Sequence, residues 1–193
     1  MKNADTGGST IYDRFVFLDR DGVINVERGD YTTTVDQWEW APGVFEGLRL
    51  FRESGFGVVV ITNQGCIAKG IQTEAGLAAL HDFMVRRVRA EGGDILRIYH
   101  CPHQTSDGCQ CRKPLPGMFF RAADDLGIKL ADTFMIGDSL RDMEAGRRAG
   151  TRTILIDSGP GSDSSRTQFP PGEFRADDLL DAARIVIRET EKK

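Results

Sequence analysis

A three-layer α/β sandwich built on a parallel sheet is the fold this sequence predicts. Two patterns say so: short apolar runs alternate with helical stretches, and polar residues cluster where those runs end. A third observation gives the fold a purpose. Asp19-Arg20-Asp21-Gly22-Val23 comes directly after the apolar run Phe15-Val16-Phe17-Leu18, so a buried strand delivers two carboxylates at its C-terminal end. Burying unpaired carboxylates is costly, and metal coordination or covalent chemistry would justify it.

Apolar runs suited to buried strands occur at 14–18, 57–62, 95–99, 132–136 and 153–156. The first helix is expected between Pro42, an early helical residue, and Gly55, its terminator. The second, about 73–91, starts at Thr73 and carries Leu77, Leu80 and Met84 at helical spacing. A third spans about 116–126 and stops at Gly127, a fourth about 139–149 before Gly150, and a fifth about 177–189. Residues 158–172, with four Ser, three Gly and three Pro, read as a long loop before that last helix.

The chain of 193 residues fits one domain: a loose leader over 1–12 and a single domain over 13–190. The short gaps leave no room for a separate cap domain. A net charge of −4 and a pI near 5.4 argue against nucleic acid and against an anionic membrane surface. With no apolar run of about 18 residues, no transmembrane helix is expected. The polar first ten residues lack a signal-peptide core, which points to the cytoplasm. A monomer is the default for a capless chain of this size.

In parallel sheets, ligands bind outside the carboxyl ends of strands, at the switch point in strand order. With the Rossmann-like order 3-2-1-4-5, Asp19 and Asp21, Thr62-Asn63-Gln64 and Gly137-Asp138 converge there. Asp19, Asp21 and Asp138 make a hard oxygen site suited to Mg²⁺, and Asp142, one turn later, is placed to orient it. Lys113 offers a point charge for a phosphate, and Thr62 a hydroxyl. Acid pair, metal, lysine and hydroxyl are what phosphoryl transfer to a carboxylate requires.

Those four motifs, in that order over roughly residues 13–157, resemble the haloacid dehalogenase-like phosphatase superfamily. The resemblance implies that Asp19 is the nucleophile, forming an aspartyl-phosphate, and that Asp21 is the general acid/base. It implies Mg²⁺ held by Asp19, the backbone carbonyl of Asp21, and Asp138. Thr62 and Lys113 would stabilise the transferring phosphoryl group.

Cys101, His103, Cys109 and Cys111 offer three thiolates and an imidazole, a closed set suited to structural Zn²⁺. His100 competes with His103, which is preferred because Cys-x-His and Cys-x-Cys pairs grip a metal from two sides. This zinc loop, 101–111, runs straight into Arg112 and Lys113, so the metal is expected to hold that lysine in place. Cys66 reads as a small loop or core residue, and Trp38 and Trp40 as packing for a small flap.

From Cys101 to Pro114 the loop is similar to that of the D-glycero-D-manno-heptose 1,7-bisphosphate 7-phosphatases and of the related histidinol-phosphate phosphatases. Leu18–Asn25, Ile67-Ala68-Lys69-Gly70 and Lys113-Pro114-x-Pro116-Gly117-Met118 favour the heptose branch. The resemblance implies removal of the 7-phosphate of a small sugar bisphosphate, on the route to nucleotide-activated heptose for lipopolysaccharide or capsule. It implies sugar contacts from Glu27, Arg28, Gly29 and Asp30 and from Thr62, Asn63, Gln64 and Gly65, with Arg112 on the distal phosphate. Only five residues separate His103 from Cys109, closer to the histidinol-phosphate type, which keeps that phosphomonoester as the alternative.

Overall fold

The computed structural model describes residues 12–157 and 174–192. The expected leader (1–12, all but its last residue) and the expected loop (158–172) lie outside the described residues. Six strands form one parallel sheet: β1 (Arg14–Leu18), β2 (Phe56–Asn63), β3 (Arg97–Cys101), β4 (Phe134–Gly137), β5 (Arg152–Ile156) and β6 (Phe174–Ala176). Their spatial order is β3-β2-β1-β4-β5-β6, the expected 3-2-1-4-5 with one strand added at the edge. β1 is central, in register Phe17↔Val59 with β2 and Phe17↔Met135 with β4.

Alternation of side chains along each strand builds two cores. Val16, Leu18, Val58, Val60 and Ile136 point to one face. There they meet α1 (Val44–Glu53), α2 (Glu74–Ala90) and α5 (Leu179–Glu191) through Leu48, Phe51, Met84, Val88 and Val186. Phe17, Val59, Ile61 and Met135 point to the other face. That side is covered by α3 (Gly117–Leu126) and α4 (Leu140–Ala149), with Phe119 packed edge-on against Phe17 at 5.0 Å.

The expected place of Pro42 is corrected: it precedes the helix and is not part of it. Gly43 is the N-cap of α1, with a left-handed φ of 67° that interrupts the helix there. A Cβ on Gly43 would come within 2.7 Å of the Asp178 carboxylate, so glycine is also needed for contact with the start of α5.

Between β1 and α1 the chain forms a flap with a single 3₁₀ turn at Val35–Gln37. Trp38 and Trp40 pack edge to face, 5.2 Å apart, and both lie against Phe83 of α2. Gln72 Nε2 ties the flap down by donating to Thr33 O at 2.6 Å. Among the described residues, no helix is long and apolar enough to cross a membrane.

Candidate active site

The carboxyl ends of β1, β2 and β4 open into a cavity of about 440 Å³ lined by Asp19, Asp21, Thr62, Lys113, Asp138 and Asp142. Asp19 continues β1, its N–H donating to Ile136 O of β4 at 2.9 Å. Asp138 arrives from β4 one residue after Gly137. Two glycines make the close approach possible. Gly22 sits at φ 80°, and a Cβ there would fall 1.9 Å from Asp138 Oδ2. A Cβ on Gly137 would fall 2.3 Å from that of Asp142.

Asp19, Asp138 and Asp142 each bring one carboxylate oxygen to within 4.8 Å of the others. Burial, and then the neighbouring Asp142 and Asp21 carboxylates, push Asp19 up to about 7 against the pull of Lys113. Burial, Asp142 and Asp19 push Asp138 up to about 8. Lys113 supplies a single positive charge, with Nζ 2.8 Å from Asp19 Oδ1 and 2.6 Å from Asp142 Oδ1. Burial alone would depress the Lys113 pKa, but Asp142 and Asp19 outweigh it and the net shift is upward. Once ionised, three acids outnumber the one cation, an excess of negative charge that fits a divalent, oxygen-seeking ion such as Mg²⁺.

Asp21 is held differently. Burial pushes it up, yet Arg20, Asn25 and Gln64 overcome that and lower it, so the resting group is a carboxylate. Asn25 Nδ2 donates to Oδ1 and Gln64 Nε2 to Oδ2, each at 2.9 Å.

The remaining expected contacts divide. Glu27, Gly29, Asp30, Asn63 and Arg112 line the cavity. Arg28 is exposed and does not line it, and Gln64 is buried beneath it, donating also to Thr62 Oγ1 at 2.8 Å. Gly65 packs under Arg112 and Tyr31 instead of lining the cavity. Tyr31 and Arg141 line it without having been singled out in the sequence, and Lys69, quoted there only as part of the heptose-like stretch Ile67–Gly70, lines it as well. Lys69 Nζ stands 5.1 Å from the Tyr31 ring centroid, and Lys69, Arg112 and Arg141 bring three further cations to the lining alongside Glu27 and Asp30.

On the rim, the Cys101 sulfur lies 3.6 Å from that of Cys109 and 3.2 Å from that of Cys111. His103 Nδ1 is 3.7 Å from Cys101 Sγ and 3.3 Å from Cys111 Sγ. A tetrahedral zinc site has ligand–ligand edges of about 3.5–3.8 Å. The Cys101–Cys109 and Cys101–His103 edges match this, and the Cys101–Cys111 and His103–Cys111 edges are a few tenths of an ångström short, so the donor set is close to that ion's geometry. His100 instead points to Glu74 Oε2 at 3.0 Å. Cys66 is buried against Gln64 and lines no part of the cavity.

A parallel sheet carrying this acid cluster and lysine at the carboxyl end of its central strand defines a HAD-like phosphatase, and a HAD-hydrolase-like family model matches residues 110–182. The D-glycero-beta-D-manno-heptose-1,7-bisphosphate 7-phosphatase of Pseudomonas aeruginosa is 36% identical over 173 residues, covering 90% of this chain and 97% of that protein. The corresponding alpha-heptose enzyme of Campylobacter jejuni is 38% identical over 141 residues, covering 73% of this chain and 80% of its own. Among solved structures, the D,D-heptose 1,7-bisphosphate phosphatase of Bordetella bronchiseptica, complexed with magnesium and phosphate, superimposes with a TM-score of 0.86 at 35% identity. That match covers 91% of this chain and 99% of its own. The chain belongs to the family of heptose-1,7-bisphosphate 7-phosphatases.

Proposed function

We propose that this protein removes the 7-phosphate of D-glycero-β-D-manno-heptose 1,7-bisphosphate. The observation that carries the reading is the crowding of Asp19, Asp138 and Asp142 around one lysine, in a cavity whose lining also offers Lys69, Arg112 and Arg141. The lysine with its acids can hold a transferring phosphoryl group, the other three cations a non-reacting phosphate. The β anomer is favoured because the relatives that match nine-tenths of this chain are named for it.

In this reading Asp19 attacks the phosphorus, and the P–O7 bond breaks as Asp21 gives a proton to the departing sugar oxygen. Asp21 takes that proton up beforehand, when the incoming phosphate's negative charge raises its pKa. The product is a phosphate ester of the Asp19 carboxyl. A water then attacks phosphorus, its proton passes back to Asp21, and the bond to Asp19 breaks to free phosphate. Thr62 and Lys113 steady the phosphoryl oxygens. Asp19, Asp138 and the Asp21 carbonyl would hold Mg²⁺, which when bound neutralises charge between the nucleophile and the phosphoryl group. Asp142 orients Lys113 and supports this set.

The four rim ligands would hold Zn²⁺ in a structural role. All of these groups come from one chain, which suits a monomer with one capless domain. Four cysteines with no disulfide among them suit a reducing compartment such as the cytoplasm.

The test is Mg²⁺-dependent phosphate release from both heptose 1,7-bisphosphate anomers and from histidinol phosphate. A higher kcat/KM on the β anomer is expected, and Asp19→Asn should abolish turnover with the fold retained. Preference for histidinol phosphate, or turnover by Asp19→Asn, would overturn the reading.

A further inference from the structure

Arg20 lies between the two catalytic-site carboxylates in sequence, yet it lines no part of the cavity. Its side chain is 1% exposed and folds back beneath Asp21. Nη2 donates to Asp21 Oδ1 at 2.7 Å and to Oδ2 at 2.9 Å, and Nε reaches Oδ1 at 3.2 Å. On its other side Nη1 stands 3.4 Å from Nε2 of the buried His81 on α2, and the guanidinium lies 5.8 Å from the Trp38 ring centroid. Arg20 is therefore clamped between the second helix, the flap and Asp21.

Stability is a poor reason for this arrangement. Taking a guanidinium out of water is costly, and a buried ion pair often does no better than apolar residues of the same size. Geometry is the better reason. A planar fork that engages both carboxylate oxygens fixes the plane of the carboxyl group, which a single contact cannot do. Asn25 and Gln64 add one bond to each oxygen. The 22% of the Asp21 side chain still exposed is the part left to meet a substrate.

We propose that Arg20 is a positioning residue, holding the Asp21 carboxyl plane so that it faces the departing sugar oxygen and then the attacking water. The proposal rests on Asp21 as the proton donor and acceptor, and extends it to a residue that touches no substrate atom.

Two reactions separate positioning from general support. Turnover of heptose 1,7-bisphosphate needs a proton delivered to an alkoxide leaving group. The first turnover of p-nitrophenyl phosphate, with enzyme in excess, releases a stable phenolate and needs only attack by Asp19. Arg20→Met should lower kcat on the bisphosphate about 100-fold with KM within about threefold, while first-turnover nitrophenolate release falls no more than about threefold. Arg20→Lys keeps the charge and the stem but not the fork, so it gives a folded second variant and should show the same split. Equal loss in both reactions, an unchanged kcat on the bisphosphate, or full rescue by lysine would overturn the proposal.

Asp21→Asn is measured alongside. If it spares bisphosphate turnover, the proton-transfer reading of Asp21 is wrong and the role of Arg20 falls with it. If it loses that turnover and the Arg20 variants do not, only the positioning proposal fails.

Discussion

Asn63 and Lys113, fifty positions apart, are joined by a reciprocal pair of hydrogen bonds: Asn63 Nδ2 donates to Lys113 O, and Lys113 N donates to Asn63 Oδ1, each at 3.0 Å. The pair fastens the end of β2 to the exit of the cysteine loop. The Lys113 ammonium is then delivered to Ile61 O at 2.8 Å, as well as to Asp19 and Asp142. Asn63 lines the cavity, but both polar atoms of its side chain are spent on this backbone.

Asn63→Ala should therefore act through Lys113. Losing two hydrogen bonds, one of them from a lysine N–H that has no other partner among the described residues, should cost about 1–3 kcal/mol of stability. Turnover should fall through kcat, with KM for the sugar phosphate little changed. Urea melts and steady-state kinetics check this; a rise in KM alone would return Asn63 to direct substrate contact.

The strand order and the acid cluster were legible because each rests on a repeated pattern. Apolar runs such as Phe15–Leu18 and Val58–Ile61 mark central strands, and in a parallel sheet the residues just beyond each run land on one edge. β6 left no such mark, since Phe174-Arg175-Ala176 is a three-residue edge strand with no apolar run. Tyr31 and Arg141 were equally silent, because single charged or aromatic residues in loops carry no periodicity, and Lys69 stood out only through the resemblance of its stretch, with no role attached. Asn63 and Gln64 were placed at the right strand end, but neighbouring residues on a strand point opposite ways. One met the Lys113 backbone and the other went under Asp21.

The cysteine loop gives a prediction that separates two metals. Cys109→Ser and Cys111→Ser should each lose about one zinc per chain, measured by elemental analysis. Melting should fall on the order of 10 °C, the equivalent of about 3 kcal/mol for a chain of this size. Since Lys113 lies two residues beyond Cys111, activity should fall with it. Wild-type protein stripped by a strong chelator should regain activity when zinc is supplied along with Mg²⁺, and not with Mg²⁺ alone. Full recovery with Mg²⁺ alone would remove the structural role of the loop metal.

The crowded carboxylates set a pH dependence whose sign can be worked out. Asp19 and Asp138 have an ordinary value of 3.8, and mainly burial raises them in the folded protein to about 7 and about 8. Between these limits the metal-free folded state binds more protons than the unfolded chain. The contribution of these two carboxylates to stability is thus fully present near pH 4 and is lost as pH rises to about 8. A divalent cation replaces those protons, so Mg²⁺ should raise the melting temperature more near pH 8 than near pH 5.5, by roughly several degrees. Asp21, lowered by Arg20 against its burial, acts below this window. His81, pushed down to about 3 by burial and then by Arg20, contributes with the opposite sign below about 6.5, equally with and without Mg²⁺. An equal shift at both pH values would mean that Mg²⁺ does not bind at these two carboxylates.

Arg112 is the place to test whether the cavity reads a second phosphate. It lines the cavity, while its Nη1 donates to His103 O at 2.9 Å and so also braces the cysteine loop. Binding energy drawn from a non-reacting phosphate belongs to the bisphosphate alone, whereas bracing of the loop serves every substrate through Lys113. Arg112→Ala should therefore lower kcat/KM for the bisphosphate about 10–100-fold, the loss expected for a charge-assisted pair. The same change should alter kcat/KM for heptose 7-phosphate, which lacks the second phosphate, by no more than about threefold. Arg112→Lys should fall between, keeping a charge but losing the two-pronged grip. A parallel fall on both substrates, accompanied by a lower melting temperature, would make Arg112 a brace for the loop and leave Lys69 and Arg141 as the cations facing the distal phosphate.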